Sequence, residues 1–74
     1  MDYTQGRYNV YDEWGNWIGR IDGDEFVRTP GANGQLLYRL EEDEFYDMNG
    51  GFMGHISNGQ VVVAGVKRFV ILAE

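Results

Sequence analysis

The chain contains no cysteine and a single histidine among its 74 residues. Without cysteine there can be no disulfide, and one imidazole without a thiolate cannot build a structural zinc site. A chain this short has a thin core and little stability in reserve, so self-association is the remaining way to bury more surface. The lack of cysteine also favours a reducing compartment. We therefore expect a cytoplasmic protein that carries neither a metal nor a cofactor.

Long apolar runs and an excess of positive charge are missing as well. The longest uninterrupted apolar run, residues 69–73, is far shorter than a membrane-spanning helix requires. The first six residues, Met-Asp-Tyr-Thr-Gln-Gly, have neither the basic nor the apolar region of a signal peptide. The net charge is −6, which argues against nucleic acid or a membrane surface as a partner.

What the sequence does contain is a repeat. Residues 11–21 and 46–56 align at a constant offset of 35 and share five identical positions: Tyr11 and Tyr46, Asp12 and Asp47, Gly15 and Gly50, Gly19 and Gly54, Ile21 and Ile56. Short runs of Val, Ile, Phe, Tyr and Trp alternate with Gly and Asn, and no stretch has sustained helical spacing. This pattern predicts an all-β fold built from hairpins, without a substantial helix.

Four units of two strands account for the chain as one domain, 1–74. The units span approximately 8–25, 26–44, 45–60 and 61–74, and their first strands are predicted to start at Val10, Phe26, Phe45 and Val61. The second strands of the first three units end at Ile21, Leu40 and Ile56, and each is followed by a linker of four residues. A linker of constant length under changing residues indicates a geometric repeat.

The turn of units 1 and 3 is Asp-x-x-Gly. Aspartate at the first position can accept hydrogen bonds from backbone N–H groups further along, and the glycine supplies the positive φ of a type I turn followed by a bulge. We therefore predict positive φ at Gly15 and Gly50. Gly19 and Gly54 fall inside strands, where glycine is costly, so they predict a bulge or a close approach of two backbones.

The pattern Tyr-Asp-x-x-Gly-x-hydrophobic-hydrophobic-Gly-x-Ile, at residues 11–21 and 46–56, resembles the small bacterial four-fold β-flower proteins. The resemblance extends over roughly residues 8–72; units 1 and 3 carry it well, unit 2 moderately, and unit 4 by spacing and hydrophobicity. It implies four pseudo-repeated β-hairpins arranged radially, as a β-flower or a small closed barrel-like fold. It implies no site, because the function of that family is uncharacterised.

Catalytic chemistry has little support in the sequence. There is no cysteine nucleophile and no Gly-x-Ser-x-Gly motif, and the lone serine, Ser57, lies in a linker. Asp12 and Asp47 are a candidate acid–base pair, but each begins an Asp-x-x-Gly turn, which favours a structural role. His55 aligns with Arg20 of unit 1, and this favours a surface position over a general base. We expect that the protein is not an enzyme.

The acidic residues are concentrated in the linkers. Residues 22–25 have the carboxylates of a calcium loop without its full spacing. Linkers 22–25 and 41–44 together hold seven of the twelve acidic residues, and in an array of hairpins all linkers fall at one end. We expect a strongly negative end that keeps the protein soluble and protects strand edges, or alternatively attracts a cation or a basic partner.

Aromatic residues provide the most direct indication of a binding site. Trp14 is predicted at the tip of the unit 1 turn, with Trp17 nearby, and exposed tryptophan is enriched at recognition surfaces and sugar-binding platforms. The alternative is that Trp14 folds back over the neighbouring turn near Pro30. Tyr11 and Tyr46 complete the candidate ligand or partner site.

Unit 4 lacks the alternation of polar and apolar residues. Consecutive apolar residues indicate strands covered on both faces, by the N-terminal Tyr3 and Tyr8 or by another copy of the chain. The second alternative predicts a homodimer with an interface at Val62, Phe69, Val70 and Ile71.

The sequence thus predicts a non-catalytic protein-interaction or self-association module whose protein partner is unknown or is a second copy of the chain. The alternative is a small-ligand or carbohydrate-binding domain that uses Trp14, Trp17, Tyr11 and Tyr46 at the hairpin tips. The biological process stays open.

Overall fold

The computed structural model describes residues 3–31 and 33–74. Within these ranges it contains eight strands and no helix, which confirms the predicted all-β fold. The strands are β1 (Arg7–Asp12), β2 (Trp17–Asp22), β3 (Phe26–Arg28), β4 (Leu36–Glu41), β5 (Glu44–Asp47), β6 (Phe52–Ser57), β7 (Gln60–Val63) and β8 (Val66–Ala73). Ala32, in the longer loop of unit 2, lies outside the described residues.

The strands form a closed antiparallel barrel in the order β1 to β8. β1 pairs with β8 from Tyr8 opposite Ala73 to Asp12 opposite Phe69, which closes the sheet. The hairpins are therefore joined into one continuous barrel, the closed form of the predicted repeat. The narrowest seam lies between β2 and the three-residue β3, where the register joins Arg20 to Arg28.

The up-and-down strand order separates the connections into two groups. The hairpin turns of the four units, whose described residues are 13–16, 29–31 with 33–35, 48–51 and 64–65, lie at one end of the barrel, here called the turn end. The remaining connections, residues 23–25, 42–43 and 58–59, lie at the other end, here called the linker end. Tyr3 and Thr4 border the same recess as Asp24 and Asp43, so the N-terminal segment covers the linker end.

Every strand contributes an inward side chain to the core. The buried apolar residues of the described chain are Tyr3, Val10, Ile21, Val27, Leu40, Phe45, Ile56, Val61, Phe69 and Ile71. The first strand of unit 2 starts at Phe26, as predicted, whereas the other first strands start before the predicted residues, at Arg7, Glu44 and Gln60. In unit 2 the inward residue is Val27, which is fully buried, and Phe26 is half-buried.

The inward positions of the even strands alternate between glycine and aromatic residues. Gly19 on β2 lies opposite Val10, and Gly54 on β6 lies opposite Phe45. The corresponding positions opposite Val27 and Val61 are Tyr38 and Phe69. Alternating small and large residues fill a narrow barrel without overcrowding it.

The rings that fill this interior are in mutual contact. The Tyr38 and Phe45 ring centroids are 4.9 Å apart, and Phe69 lies 5.2 Å from each of them. Such ring pairs add stability beyond the area that they bury. The barrel interior is therefore packed with side chains, and a ligand would have to bind on the outside.

Both strand glycines lie where a neighbouring backbone approaches closely, as predicted. A Cβ atom on Gly19 would lie 2.6 Å from the carbonyl oxygen of Arg28, and one on Gly54 would lie 2.8 Å from that of Val62. A register shift next to each glycine, between Val10 and Tyr11 in unit 1, marks a bulge that bends the strand.

The predicted turn glycines are also confirmed. Gly15 has φ of 85° and Gly50 has φ of 87°, in the region that favours glycine. In both turns the aspartate N–H donates to the carbonyl oxygen four residues on, over 2.9 Å. Units 1 and 3 therefore share one turn geometry as well as one sequence motif.

The predicted dimer interface was wrong for Phe69 and Ile71. Both side chains are buried in the core of their own barrel, with 7% and 3% exposure, so they cannot contact a second copy. The apolar run of β8 nevertheless alternates, since Val70 is half-buried and Leu72 is exposed on the outer face. Tyr3 belongs to the core and its ring packs edge-on against Tyr8 at 5.0 Å, so the N-terminal segment packs against the interior, while Leu72 on the outer face of β8 stays exposed.

Candidate functional site

Exposed apolar side chains are concentrated at the turn end. Of the seven large apolar residues classed as exposed in the described chain, six lie in hairpin turns or at the first position of an even strand: Trp14, Trp17, Leu36, Met48, Phe52 and Val66. The seventh, Leu72, lies on the outer face of β8 near the linker end. We call these six residues the apolar rim.

Trp14 is the most exposed member of the rim, at 79%. Its backbone is nevertheless held firmly, because its N–H donates to Asp12 Oδ1 over 2.9 Å. The same oxygen accepts from the Asn16 N–H, and Asp12 Oδ2 accepts from the Asn16 side-chain amide. A large apolar side chain is thus presented to solvent on a well-ordered turn.

Trp17 is positioned by its own indole. Its Nε1–H donates to the carbonyl oxygen of Gly19 over 2.9 Å, which orients the ring along β2 while 53% of the residue stays exposed. Tyr11 lies opposite Trp17 in the β1–β2 register. The structure therefore brings together three of the four predicted aromatic site residues, Trp14, Trp17 and Tyr11, on one hairpin.

The fourth predicted aromatic residue, Tyr46, lies elsewhere on the barrel. It belongs to β5, and two strands separate the β1–β2 hairpin from the β5–β6 hairpin on either side of the barrel. The Tyr46 ring contacts Phe52 at 5.8 Å, Phe52 contacts His55 at 5.0 Å, and the Arg39 guanidinium lies 4.9 Å from the Tyr46 centroid. These residues form a separate stack on the outer face of β4 to β6.

The Tyr46 hydroxyl is engaged within that stack. It donates to Glu44 Oε1 over 3.1 Å, and this hydrogen bond, together with partial desolvation and nearby carboxylates, raises the pKa of Tyr46. Arg39 opposes the effect and is itself held by Glu41 at 2.8 Å. Phenol, guanidinium and carboxylates thus have partners on the same surface, which favours a structural role for Tyr46.

A groove runs along the outer face of β1 and β8 beside the first turn. It has a volume of about 360 Å³ and is lined by Tyr11, Asp12, Glu13, Gly15, Lys67, Val70 and Leu72. We call it the β1–β8 groove. Tyr11 and Val70 are register partners, and with Leu72 they form its apolar floor. A predicted ligand residue, Tyr11, and a predicted interface residue, Val70, therefore line one groove.

The linker end carries a second recess of about 340 Å³, with a different chemistry. It is lined by Tyr3, Thr4, Asp24, Glu25, Leu40, Glu42 and Asp43. The two acidic linkers therefore meet at one end, as the sequence predicted. Burial and the negative charge nearby, of which Asp43 is one source, raise the pKa of Tyr3, although a hydrogen bond with the Gly59 backbone lowers it.

The acidic linkers are partly neutralised by arginine. Ion pairs join Arg20 to Asp22 at 2.7 Å, Arg28 to Asp24, and Arg39 to Glu41. Within residues 3–31 and 33–74 no group of three or more His, Asp or Glu residues has the arrangement of a metal site. The linker end is therefore a negatively charged surface, and the cations that pair with its carboxylates are arginine side chains of the barrel strands.

The candidate catalytic carboxylates serve the turns. Asp47 Oδ1 accepts from the N–H groups of Asn49 and Gly51, at 2.9 and 2.7 Å, and Asp12 makes the equivalent bonds in unit 1. Partial desolvation raises the pKa of Asp12, but its hydrogen bonds, led by the Asn16 side chain, outweigh it and leave the pKa below its usual value. The two carboxylates occupy separate hairpins, so the structure does not bring them to one site.

Several surface residues were missed by the sequence reasoning. Leu72 and Lys67 line the β1–β8 groove, and Met48 and Phe52 belong to the apolar rim. A strict alternation counted outward from the β8 core residues would have found Leu72. Val62, the remaining predicted interface residue, is half-buried and lies opposite the exposed His55 and Lys67.

Comparison of the chain with protein-family models, with curated proteins and with solved structures gives no match in any of the three. In the described part of the chain, no helix has the length and apolar character needed to cross a bilayer.

Proposed function

We propose that this protein is a non-catalytic interaction module that docks onto apolar protein surfaces through its turn end. The observation that carries the proposal is the apolar rim, since six large apolar side chains project at one end of the barrel. Single exposed apolar residues are ordinary on protein surfaces, but their concentration in one region is typical of interaction sites.

The distribution of charge also favours docking through the turn end. Linkers 22–25 and 41–44 give the linker end its excess of carboxylates, while the rim residues are apolar. A partner that approaches from the turn end avoids desolvating these charges, which would be costly. The linker end then remains in water and keeps the module soluble. The absence of cysteine is consistent with a cytoplasmic location, which is part of this proposal.

A carbohydrate-binding domain is the second candidate. Its support is the cluster of Trp14, Trp17 and Tyr11 on one hairpin, because exposed aromatic rings stack on the apolar faces of sugars. The adjacent carboxylate is a poor partner for sugar hydroxyls, since both oxygens of Asp12 are already engaged by the turn. This weakens the second candidate relative to the first. The resemblance to the β-flower proteins stays a prediction.

Peptide selection tests the proposal directly. Residue 74 donates its N–H to the Arg7 carbonyl oxygen at the linker end, so a C-terminal biotin leaves the turn end free. A random-peptide phage library is selected on the protein immobilised sparsely enough to stay monomeric. We expect enriched peptides to be rich in apolar and aromatic residues. Their binding should fall at least tenfold in the triple variant Trp14→Asn, Met48→Ser, Phe52→Ser.

The matched control changes the opposite end of the barrel. The double variant Glu42→Gln, Asp43→Asn removes two charges from the linker end and should leave peptide binding unchanged. Peptides that lose binding to this variant while keeping it to the triple variant would overturn the proposal. A parallel panel of soluble oligosaccharides, read by tryptophan fluorescence, tests the second candidate. Sugar binding without peptide binding would replace the first function by the second.

A further inference from the structure

We infer that a second copy of this chain is a partner of the module, and that the two copies exchange Trp14 side chains, each inserted into the β1–β8 groove of the other. The inference rests on the proposed function and specifies its partner. It is carried by one juxtaposition, in which the most exposed apolar side chain of the described chain borders an apolar groove on the same face.

The groove suits an apolar occupant. Its floor is formed by Tyr11, Val70 and Leu72, and Leu72 is 53% exposed in the single chain. Asp12 lines the groove but has both oxygens committed to the turn. An incoming indole would therefore cover exposed apolar surface without leaving that carboxylate unpaired.

Trp14 does not fill the groove of its own chain. Its flanking residues Glu13 and Gly15 line the groove, yet 79% of Trp14 itself remains exposed. A projecting side chain and a recess that lie next to each other on one surface are self-complementary under a two-fold axis. The same contact then forms twice, and the assembly closes as a dimer instead of growing into a filament.

One pair of opposite charges favours this docking. Lys67 lines the groove of each copy beside the carboxylates of Asp12 and Glu13, and Glu13 also precedes the inserted tryptophan. When Trp14 of one copy enters the groove, its Glu13 approaches Lys67 of the partner subunit, and the opposite charges favour this orientation. A pair at the rim of an interface contributes more to association rate and orientation than to affinity.

The contact area sets the expected strength. A buried aromatic side chain removes about 150–250 Å² from water, so two exchanged tryptophans and the surfaces they cover remove roughly 600–1,000 Å². This is below the roughly 1,200–2,000 Å² of standard stable interfaces. We therefore expect a weak, reversible dimer that forms in the micromolar to millimolar range.

The decisive variant is supplied by the repeat itself. Asn49 occupies in unit 3 the turn position that Trp14 occupies in unit 1, and its N–H makes the same 2.9 Å bond to the turn aspartate. Trp14→Asn therefore keeps the turn while removing the projecting ring. Sedimentation velocity from about 10 μM to 1 mM should show dimerisation of the natural chain, weakened at least tenfold in Trp14→Asn. His55→Ala, which changes an exposed residue on the outer face of β6, away from the groove and from Trp14, should leave the dimer unchanged.

A mixing experiment distinguishes reciprocal exchange from any other contact. Leu72→Asp spoils the groove but keeps Trp14, whereas Trp14→Asn keeps the groove. Each variant alone should be monomeric, but a mixture can form one of the two contacts and should associate measurably. Isotope-filtered cross-peaks between Trp14 and the Leu72 methyl groups of differently labelled natural copies should confirm the contact.

Three outcomes would overturn the inference. They are a strict monomer at 1 mM, a dimer with the same affinity after Trp14→Asn, and failure of the two variants to associate when mixed. Peptide selection is run at concentrations where the protein is monomeric, so its outcome does not depend on the dimer. Loss of the dimer with retained peptide binding removes the inference and leaves the proposed function standing.

Discussion

The first and third hairpins of the barrel share one backbone framework but carry different side chains on their outer surfaces. Each has an Asp-x-x-Gly turn, and on its second strand an inward glycine with a bulge next to it. On the first hairpin Arg20 bonds Asp22 and the Gly31 carbonyl oxygen, and Trp14 and Trp17 project into solvent. On the third, the rings of Tyr46, Phe52 and His55 pack edge-on against one another.

This difference indicates which positions of the repeat are constrained by folding. The turn aspartates, the special glycines and the inward isoleucines are identical in the two hairpins, since turn and bulge geometry admits few alternatives, whereas the inward Val10 and Phe45 differ in size. Most outward positions differ, as with Trp14 and Asn49, although Tyr11 and Tyr46 are the same. Binding properties can therefore vary between hairpins while the barrel stays the same.

The largest expected effect comes from the inward glycines. Gly54→Ala places Cβ within 2.8–3.1 Å of the Val62 carbonyl group and the Val61 side chain, at φ of 147°. Overpacking and backbone strain together should cost about 2–5 kcal/mol, enough to unfold a domain of this size. Gly19→Ala has still shorter contacts, down to 2.6 Å, but no positive φ and a neighbouring seam that can yield, so about 1–3 kcal/mol is expected.

Urea denaturation followed by tryptophan fluorescence measures both variants. The comparison is informative because Gly19 faces the narrow β2–β3 seam, which can yield, whereas β6 and β7 are joined by three register pairs. A larger loss for Gly19→Ala than for Gly54→Ala would show that the steric contact outweighs backbone strain.

The turn glycines should give a smaller and nearly equal effect. Gly15 and Gly50 have almost the same φ, and a Cβ at either would meet no atom within 4 Å. Alanine at either position destabilises the fold only because it must adopt the left-handed backbone conformation, which costs about 1–2 kcal/mol in each hairpin. Costs that differ by more than about 0.5 kcal/mol between the two sites would show that the turns are not equivalent.

The sequence predicted this framework well and the surface poorly. The repeat located Asp12, Asp47 and the four special glycines, because turn chemistry and φ are local properties that few residues satisfy. Burial in β8 was mispredicted, because a run of apolar residues conceals which side chains face inward, and closure against β1 decides it. The β1–β8 groove joins residues from opposite ends of the chain, so no local pattern could reveal it.

Replacing each of the two turn aspartates by alanine should lower Tm by moderately different amounts. Asp12→Ala removes hydrogen bonds from the Trp14 and Asn16 N–H groups and from the Asn16 side chain, and should lower Tm by on the order of 5 °C. Asp47→Ala removes two backbone bonds and has no such side-chain partner, because Gly51 stands where unit 1 has Asn16. The Tm of Asp47→Ala should therefore fall less than that of Asp12→Ala, which calorimetry can check. An equal fall in Tm would show that the Asn16 side-chain amide does not contribute to stability.

The smallest effect is the pH dependence of the first turn. The pKa of Asp12 is lower in the folded chain than its unfolded value of about 3.9, so the ionised carboxylate favours folding. This contribution is complete above the unfolded pKa and is lost as the pH falls through the folded pKa. The Tm advantage over Asp12→Asn should be constant from pH 7 to 5 and shrink below about pH 4.

Asn16→Gly supplies the control for this pH effect, because it gives the first turn the glycine that the third turn has at this position. The side-chain amide that helps to lower the pKa of Asp12 is then gone. The stability lost on acidification should then be smaller, and the loss should be complete at a higher pH, than in the natural chain. An unchanged acid profile would contradict the assignment to Asn16.

The narrow seam between β2 and β3 has a consequence for the motions of the barrel. Arg20 and Arg28 form the register pair of this seam, and Arg28 also makes an ion pair with Asp24. The barrel therefore has the fewest strand-to-strand pairs to break at this seam when it opens. Sub-global opening there converts the barrel into a sheet with two free edges, a form that can exchange strands with another chain. Amide hydrogen exchange should therefore be faster at Arg28 than at Val10 or Phe45, and a disulfide engineered across the seam should suppress aggregation of the unliganded protein.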